Sequence, residues 1–325
     1  MWKPSINKMN MGNGSSVSIL NDSDWRNYVH KSYRGLLKVD KVEAQVFMAT
    51  LFESMTPFSG SFEQIKDIPH VRYGIRQYEN IKIATRDGIE LDAWFFPVAD
   101  ARGTLIILHG GGYNMADSLR RSIYLLKQQY QLLIYNARFW TYSKNPTGYV
   151  GFVGNDLADL EYVLRYLQTR DDVEKGKIGV LGYSYGGLKC LLFAPGNNEI
   201  KLVISDSAPL RLLWFDEQMR KDREFLEKVK ERLREKYGID LFPGKYDVTK
   251  QIMKISPKPL LFLQGVNDPI IPVAVTEKLF ARAKPPGELH IFKNSGHCDG
   301  MFTPDKEEYT RVVTGFLSNH LQYKK

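Results

Sequence analysis

Cysteine is almost missing from this chain. Cys190 and Cys298 are the only two among 325 residues, too few for a disulfide framework. They read as reduced thiols, and the expected setting is cytoplasmic. No Cys/His cluster has the spacing of a zinc site, so no metal is expected. No apolar run reaches the length of a membrane span. The start lacks a charged segment followed by an apolar core, so no signal peptide is expected. Neither a G-x-G-x-x-G nor a P-loop Lys-Ser/Thr follows the strand 103–108, and no cofactor is expected. A block of charge of one sign is also missing. Lys and Arg (45) exceed Asp and Glu (37) to give a net charge of +8. They are scattered among acids, which fits a solvated surface better than a nucleic-acid footprint.

An ordinary balance of 43% apolar and 25% charged residues allows one large core with additions. Met1–Ser18 is rich in Asn, Gly, Ser and Met, and residues 1–21 are expected to be disordered. Residues 22–60 read as two amphipathic helices, one with Trp25, Tyr28, Val29 and Tyr33 on a face, the other with Val46, Phe47 and Leu51. Residues 22–76 are therefore expected to form a helical extension. Tyr78–Ala84 and Glu90–Phe96 flank an Asp87-Gly88 turn and read as antiparallel strands. From residue 104 onward strands alternate with helices, which implies a parallel sheet with helices on both faces. The expected helices are 117–129, 154–169, 185–193, 273–283 and 304–320. Residues 207–256 interrupt the alternation with a charged helical stretch around 219–237. This insertion is expected to be a cap over a core formed by 77–206 and 257–322.

The most informative string is Ile178-Gly-Val-Leu-Gly-Tyr-Ser184-Tyr-Gly-Gly-Leu188. A short apolar run leads into G-x-S-x-G, and leucines at helical spacing follow. Such a turn strains the serine backbone and lifts its hydroxyl above the sheet. Glycines 182 and 186 avoid clashes with the neighbouring strand and helix. A serine hydroxyl needs a base and a group that orients the base. Of six histidines, His297 alone sits in a short loop directly after an apolar strand. His290 alternates within that strand, and His30, His70 and His320 read as surface or helix-face positions. Asp268 follows the strand Pro259–Gly265 in a sharp turn and is the expected acid. Asp206, at the end of Leu202–Asp206, is the rival. The strand 103–108 ends in His109-Gly110-Gly111-Gly112, a loop that lets N–H groups approach a reacting carbonyl. The expected oxyanion donors are the N–H groups of Tyr185 and Gly111, with Gly112 as the alternative to Gly111. His109 is expected to brace this loop without a catalytic role. Tyr113, Phe139, Trp140, Tyr183 and Trp214 are expected at the substrate pocket, or else in packing between cap and core.

The strings His109-Gly-Gly-Gly112, Gly182-Tyr-Ser-Tyr-Gly-Gly187, Gly265-Val-Asn-Asp268 and Ser295-Gly-His297 resemble the α/β-hydrolase superfamily. The Ser-Tyr-Gly-Gly form is similar to prolyl-oligopeptidase-type and serine-aminopeptidase-like hydrolases, and the glycine triplet to lipases and esterases. The likeness spans roughly residues 77–322. It implies an α/β-hydrolase fold, a Ser184–Asp268–His297 triad and no cofactor. After the next strand, many relatives carry Asp-x-Arg-Gly-x-Gly-x-Ser. Here Asn136 stands in place of the Asp, Arg138 and Ser143 keep their places, and Phe139 and Trp140 replace small residues. The expected function is a serine hydrolase acting on a small-molecule ester, thioester or amide, with a carboxylesterase first and an acyl- or aminopeptidase second. A lyase using the same triad and a noncatalytic ligand-binding protein are the remaining alternatives.

Overall fold

The structure is a computed structural model that describes residues 6–10, 16–20, 66–111, 113–138, 153–210 and 247–321. Strands β1 (Ile6–Asn10) and β2 (Ser16–Leu20) pair antiparallel. They lie inside the stretch expected to be disordered, where the β-branched Val17 and Ile19 favour a strand. The two helices expected over 22–60 and residues 211–246 of the cap expected over 207–256 fall outside the described residues.

The main sheet is built from β3 (Glu79–Ala84), β4 (Glu90–Phe96), β5 (Gly103–Leu108), β6 (Tyr130–Tyr135), β7 (Ile178–Tyr183), β8 (Ile200–Asp206), β9 (Leu260–Gly265) and β10 (Gly287–Phe292). Its spatial order is β10-β9-β8-β7-β5-β6-β4-β3. The first pair is the hairpin predicted by Asp87-Gly88, with Ile83 opposite Leu91. From β5 to β10 every pairing is parallel. Fully buried runs such as Ile178–Tyr183 and Leu260–Gly265 follow from this, because a parallel sheet is covered on both faces.

The covering helices are α1 (Ile68–Tyr73), α2 (Met115–Ser122), α3 (Tyr124–Lys127), α4 (Val153–Thr169), α5 (Tyr185–Phe193), α6 (Val248–Gln251), α7 (Val273–Phe280) and α8 (Lys306–Leu321). One face of the sheet meets Leu160, Val163 and Leu167 of α4, Leu188 and Leu191 of α5, and Leu279 of α7. The other meets Met115 and Leu119 of α2 and Val313, Phe316 and Leu317 of α8. The helix expected over 117–129 is two pieces and starts earlier. Asn114 caps α2, accepting from the N–H groups of Ala116 (2.9 Å) and Asp117, a common helix start. Strand order reverses around β5, and the carboxyl ends of strands at such a reversal are where ligands bind in open parallel sheets.

Candidate active site

Ser184 stands between β7 and α5 with φ 52° and ψ −116°. Its N–H donates to the Asp206 carbonyl at 2.7 Å, which fixes the turn to the end of β8. A Cβ on Gly182 would lie 2.2 Å from the Gly186 carbonyl oxygen, and one on Gly186 would lie 2.3 Å from that of Leu108. Only glycine permits this approach.

The loop after β5 lies against the same turn. A Cβ on Gly110 would sit 3.4 Å from the Ser184 Cβ, and one on Gly111 would sit 3.6 Å from the Tyr185 Cβ. His109 braces the loop from beneath. Its Nε2 accepts from the Ala137 N–H at 3.0 Å. Its Nδ1 therefore carries the proton and donates to the Gly110 carbonyl at 2.8 Å. Burial, aided by the charge of Lys189, pushes its pKa down to about 3, so the ring stays neutral. Asn136 accepts from the first N–H of α2 (Met115, 2.8 Å), and so ties the end of β6 to the helix after the glycine loop.

The loop after β9 holds Asp268 and the loop after β10 holds His297. The two side chains meet, with Nδ1 of His297 2.8 Å from Oδ2 of Asp268. The other Asp268 oxygen accepts from the N–H groups of Ile270 and Ile271, both at 2.8 Å. Gln264 Nε2 also donates to Oδ2 at 3.0 Å. Burial alone raises the pKa of Asp268, but the hydrogen bond and charge of His297 and the two N–H donors outweigh it. The carboxyl ends below its ordinary value, an ionised acceptor that fixes the ring.

Asp206 does not share this role. Its carboxylate accepts from Tyr309 Oη at 2.8 Å and from Ser207 Oγ at 2.9 Å. Burial raises its pKa to about 6 against the lowering effect of those hydrogen bonds. Burial likewise raises the thiols of Cys190 and Cys298, so neither is a thiolate nucleophile.

Two buried charged groups flank the site without a clear sequence signal. Tyr185 Oη donates to Asp156 Oδ2 at 2.9 Å, and Lys189 Nζ lies 3.8 Å from the same oxygen. Burial pushes the pKa of Asp156 up to about 6, with Lys189 opposing it. On the opposite face, Arg121 Nε donates to Asp117 Oδ2 at 2.7 Å. Its guanidinium lies 5.6 Å from the Tyr113 ring and 5.7 Å from that of Tyr183. The one available clue was Lys189 itself, a lone charge in the apolar run Leu188–Phe193.

Among the expected pocket residues, Tyr113 is half-buried beside Gly110. Tyr183 is instead a core residue, 2% exposed. It shares a strand face with Leu181, and that face is covered by α2 and α8. Gly112, Phe139, Trp140 and Trp214 lie outside the described residues. Among the described residues, no group of three or more His, Cys, Asp or Glu could hold a metal ion. Among them too, no helix is long and apolar enough to cross a membrane.

The profile of the prolyl oligopeptidase family matches residues 151–324. The uncharacterized protein YqkD of Bacillus subtilis is 28% identical over 257 residues, covering 71% of this chain and 76% of its own. The uncharacterized protein YfhR of Escherichia coli K12 is 26% identical over 250 residues, covering 75% and 81%. Among solved structures, the esterase Pf2001 of Pyrococcus furiosus superposes with a TM-score of 0.60 at 24% identity, over 75% of this chain and 91% of the esterase.

Proposed function

Because this chain belongs to the prolyl oligopeptidase family, we propose that it is a serine hydrolase in which Ser184, His297 and Asp268 act as a triad on a carboxylic ester. The reading is carried by the 2.8 Å contact between His297 Nδ1 and Asp268 Oδ2. That contact assigns the proton to Nδ1 and leaves Nε2 as the basic nitrogen. His297 Nε2 takes the proton of Ser184 as Oγ attacks the carbonyl carbon. Asp268 holds the tautomer and balances the imidazolium charge. The N–H groups of Tyr185 and Gly111 receive the negative oxygen, each worth roughly 2.7–4 kcal/mol in comparable sites. Collapse of the tetrahedral intermediate returns the proton to the leaving alcohol and leaves an acyl group on Ser184. Water, deprotonated by His297, then releases the acid.

Preference for an ester is supported by the likeness to the esterase Pf2001. The family match favours a second reading, cleavage of a peptide or aminoacyl amide. A fluorophosphonate probe should label wild type and fail on Ser184→Ala. An unlabelled, folded wild type rejects the triad. p-Nitrophenyl esters should turn over at least about tenfold faster than aminoacyl nitroanilides, since anilides demand more help for the leaving group. The reverse order assigns the peptidase reading.

A further inference from the structure

Five described non-glycine residues have positive φ: Asp100, Gln129, Ser184, Ser207 and Cys298. Three of them meet at one point. Ser184 (φ 52°), Ser207 (φ 51°) and Cys298 (φ 53°) come from three different loops, and all three touch the end of β8. The Ser184 N–H donates to the Asp206 carbonyl at 2.7 Å. Cys298 Sγ lies 3.5 Å from that same carbonyl oxygen, and the Cys298 N–H reaches Ser207 Oγ at 3.4 Å. The Ser207 N–H in turn donates to the Leu263 carbonyl of β9 at 2.9 Å. A residue that keeps its side chain at such a φ is strained and persists only where its surroundings over-determine it. Three such residues gathered around the Asp206 carbonyl mark a place where geometry is held at a cost.

We propose that Asp206, Ser207 and Tyr309 form a positioning strut that sets the His297 turn against the Ser184 elbow. None of the three touches the reacting atoms. They act through Ser184 and through Cys298, the residue after His297. The inference rests on the serine hydrolase reading and deepens it. The chemistry lies in one hydroxyl. Ser207 Oγ gives its proton to Asp206 Oδ1 at 2.9 Å, so its lone pairs are free to face the Cys298 N–H. Tyr309 Oη, on α8, holds the other carboxylate oxygen at 2.8 Å and stops the carboxylate from turning away. Asp206 and Ser207 are 3% and 0% exposed, so water does not compete for these partners. Asp268 orients the imidazole ring; the strut fixes the backbone that carries it.

The test compares Ser207→Ala, Asp206→Asn, Asp206→Ala and Tyr309→Phe with wild type. Ser207→Ala should lower kcat on p-nitrophenyl butyrate by roughly 10- to 100-fold while KM stays within about twofold, as expected for a small misplacement of the base. Fluorophosphonate labelling should slow by the same factor. Tyr309→Phe should act in the same direction and more weakly. Asp206→Asn should keep most of the rate, because its amide oxygen still accepts from Ser207 and its NH₂ still meets Tyr309. Asp206→Ala should not. Equal loss in Asn and Ala, or a raised KM with kcat held, overturns the strut.

A further readout does not need turnover. The Nδ1 proton of His297, hydrogen-bonded to Asp268, should give a sharp low-field proton resonance in wild type that broadens or shifts upfield in Ser207→Ala. An unchanged resonance in that variant overturns the strut. Wild type that neither labels nor hydrolyses any ester overturns the hydrolase reading instead, and the resonance still decides the strut.

Discussion

Gly265 is the residue on which the joint between Asp268 and His297 turns. It ends β9, three residues before Asp268, and the loop of His297 lies directly on its α-carbon. A Cβ there would be 2.2 Å from the Gly296 carbonyl oxygen and 2.4 Å from that of Ser295. Ordinary contact begins at 3.4 Å, so Gly265→Ala must drive the 295–296 backbone away by about 1.2 Å. Neither side gives easily. Gly265 is paired in the sheet with Phe292, and the Ser295 carbonyl accepts from Asn267 at 2.9 Å. A retreat of that size carries the 2.8 Å contact between His297 and Asp268 beyond hydrogen-bonding range. Misplacement by about 1 Å costs on the order of 10²-fold in rate, and overpacking a rigid core costs about 1–3 kcal/mol.

Gly265→Ala should therefore label with fluorophosphonate about 100-fold more slowly than wild type, with a modest fall in Tm. Gly176→Ala is the control, since a Cβ there meets nothing within 4 Å. It should leave labelling and Tm unchanged. A Gly265→Ala protein that labels at the wild-type rate refutes the reasoning, because the His297 loop then does not depend on the space above β9.

Asp268→Asn should lower kcat by roughly 10⁴-fold through the wrong imidazole tautomer, while Asp206→Asn should cost only a few-fold. Exchange of the two effects in ester kinetics would make Asp206 the orienting acid. Asp156→Asn tests the buried charge beside Tyr185. The folded-state pKa of Asp156, about 6, is above its ordinary 3.8. Its ionisation therefore opposes folding, and stability present below about pH 4 is lost as pH rises through about 6. Two units correspond to about 3 kcal/mol. Urea unfolding should show Asp156→Asn gaining about that much on wild type between pH 4 and pH 8; a pH-independent difference refutes it. Arg121→Met should cost about 3 kcal/mol by leaving the Asp117 carboxylate buried without its main partner. Arg120 still reaches Asp117 at 3.0 Å, which favours the low end. Asp117→Asn in the same chain should recover most of the loss, as read by thermal melts.

Most of the sheet was legible because parallel strands are buried on both faces and leave unbroken apolar runs. Ile178–Tyr183 and Leu260–Gly265 are such runs, and each strand assigned between residues 78 and 292 lies where its run predicts to within a few residues. Helix starts were less legible. Asn114 caps α2 through its side chain, whereas Asp117, the residue expected there, spends its carboxylate on Arg120 and Arg121. Tyr183 was misread because proximity in sequence to Ser184 suggests proximity to substrate. Alternation along β7 sends its side chain to the opposite, helix-covered face. The buried Asp156 and Lys189 were not legible, because a charge at a helix start or in an apolar helix reads as exposed until tertiary packing closes over it.

The site uses two kinds of unusual backbone, and only one of them leaves a trace in sequence. Where two main chains must approach closely, as at Gly182, Gly186 and Gly265, the residue must lose its side chain, and glycine announces the contact. Where the chain must turn left-handed yet keep a functional side chain, glycine is no use. In the proposed triad and strut Ser184 and Ser207 each use a hydroxyl, and both carry positive φ with a Cβ in place. Nothing local marks such a residue, because the strain is held by partners far away in sequence, such as Asp206 for Ser184 and Ser207 for Cys298. Relieving it is thus a test of purpose. Ser207→Gly removes both strain and hydroxyl, so it should be no less stable than Ser207→Ala and no more active. Activity restored by glycine would mean that backbone strain, and not the hydroxyl, limits the site.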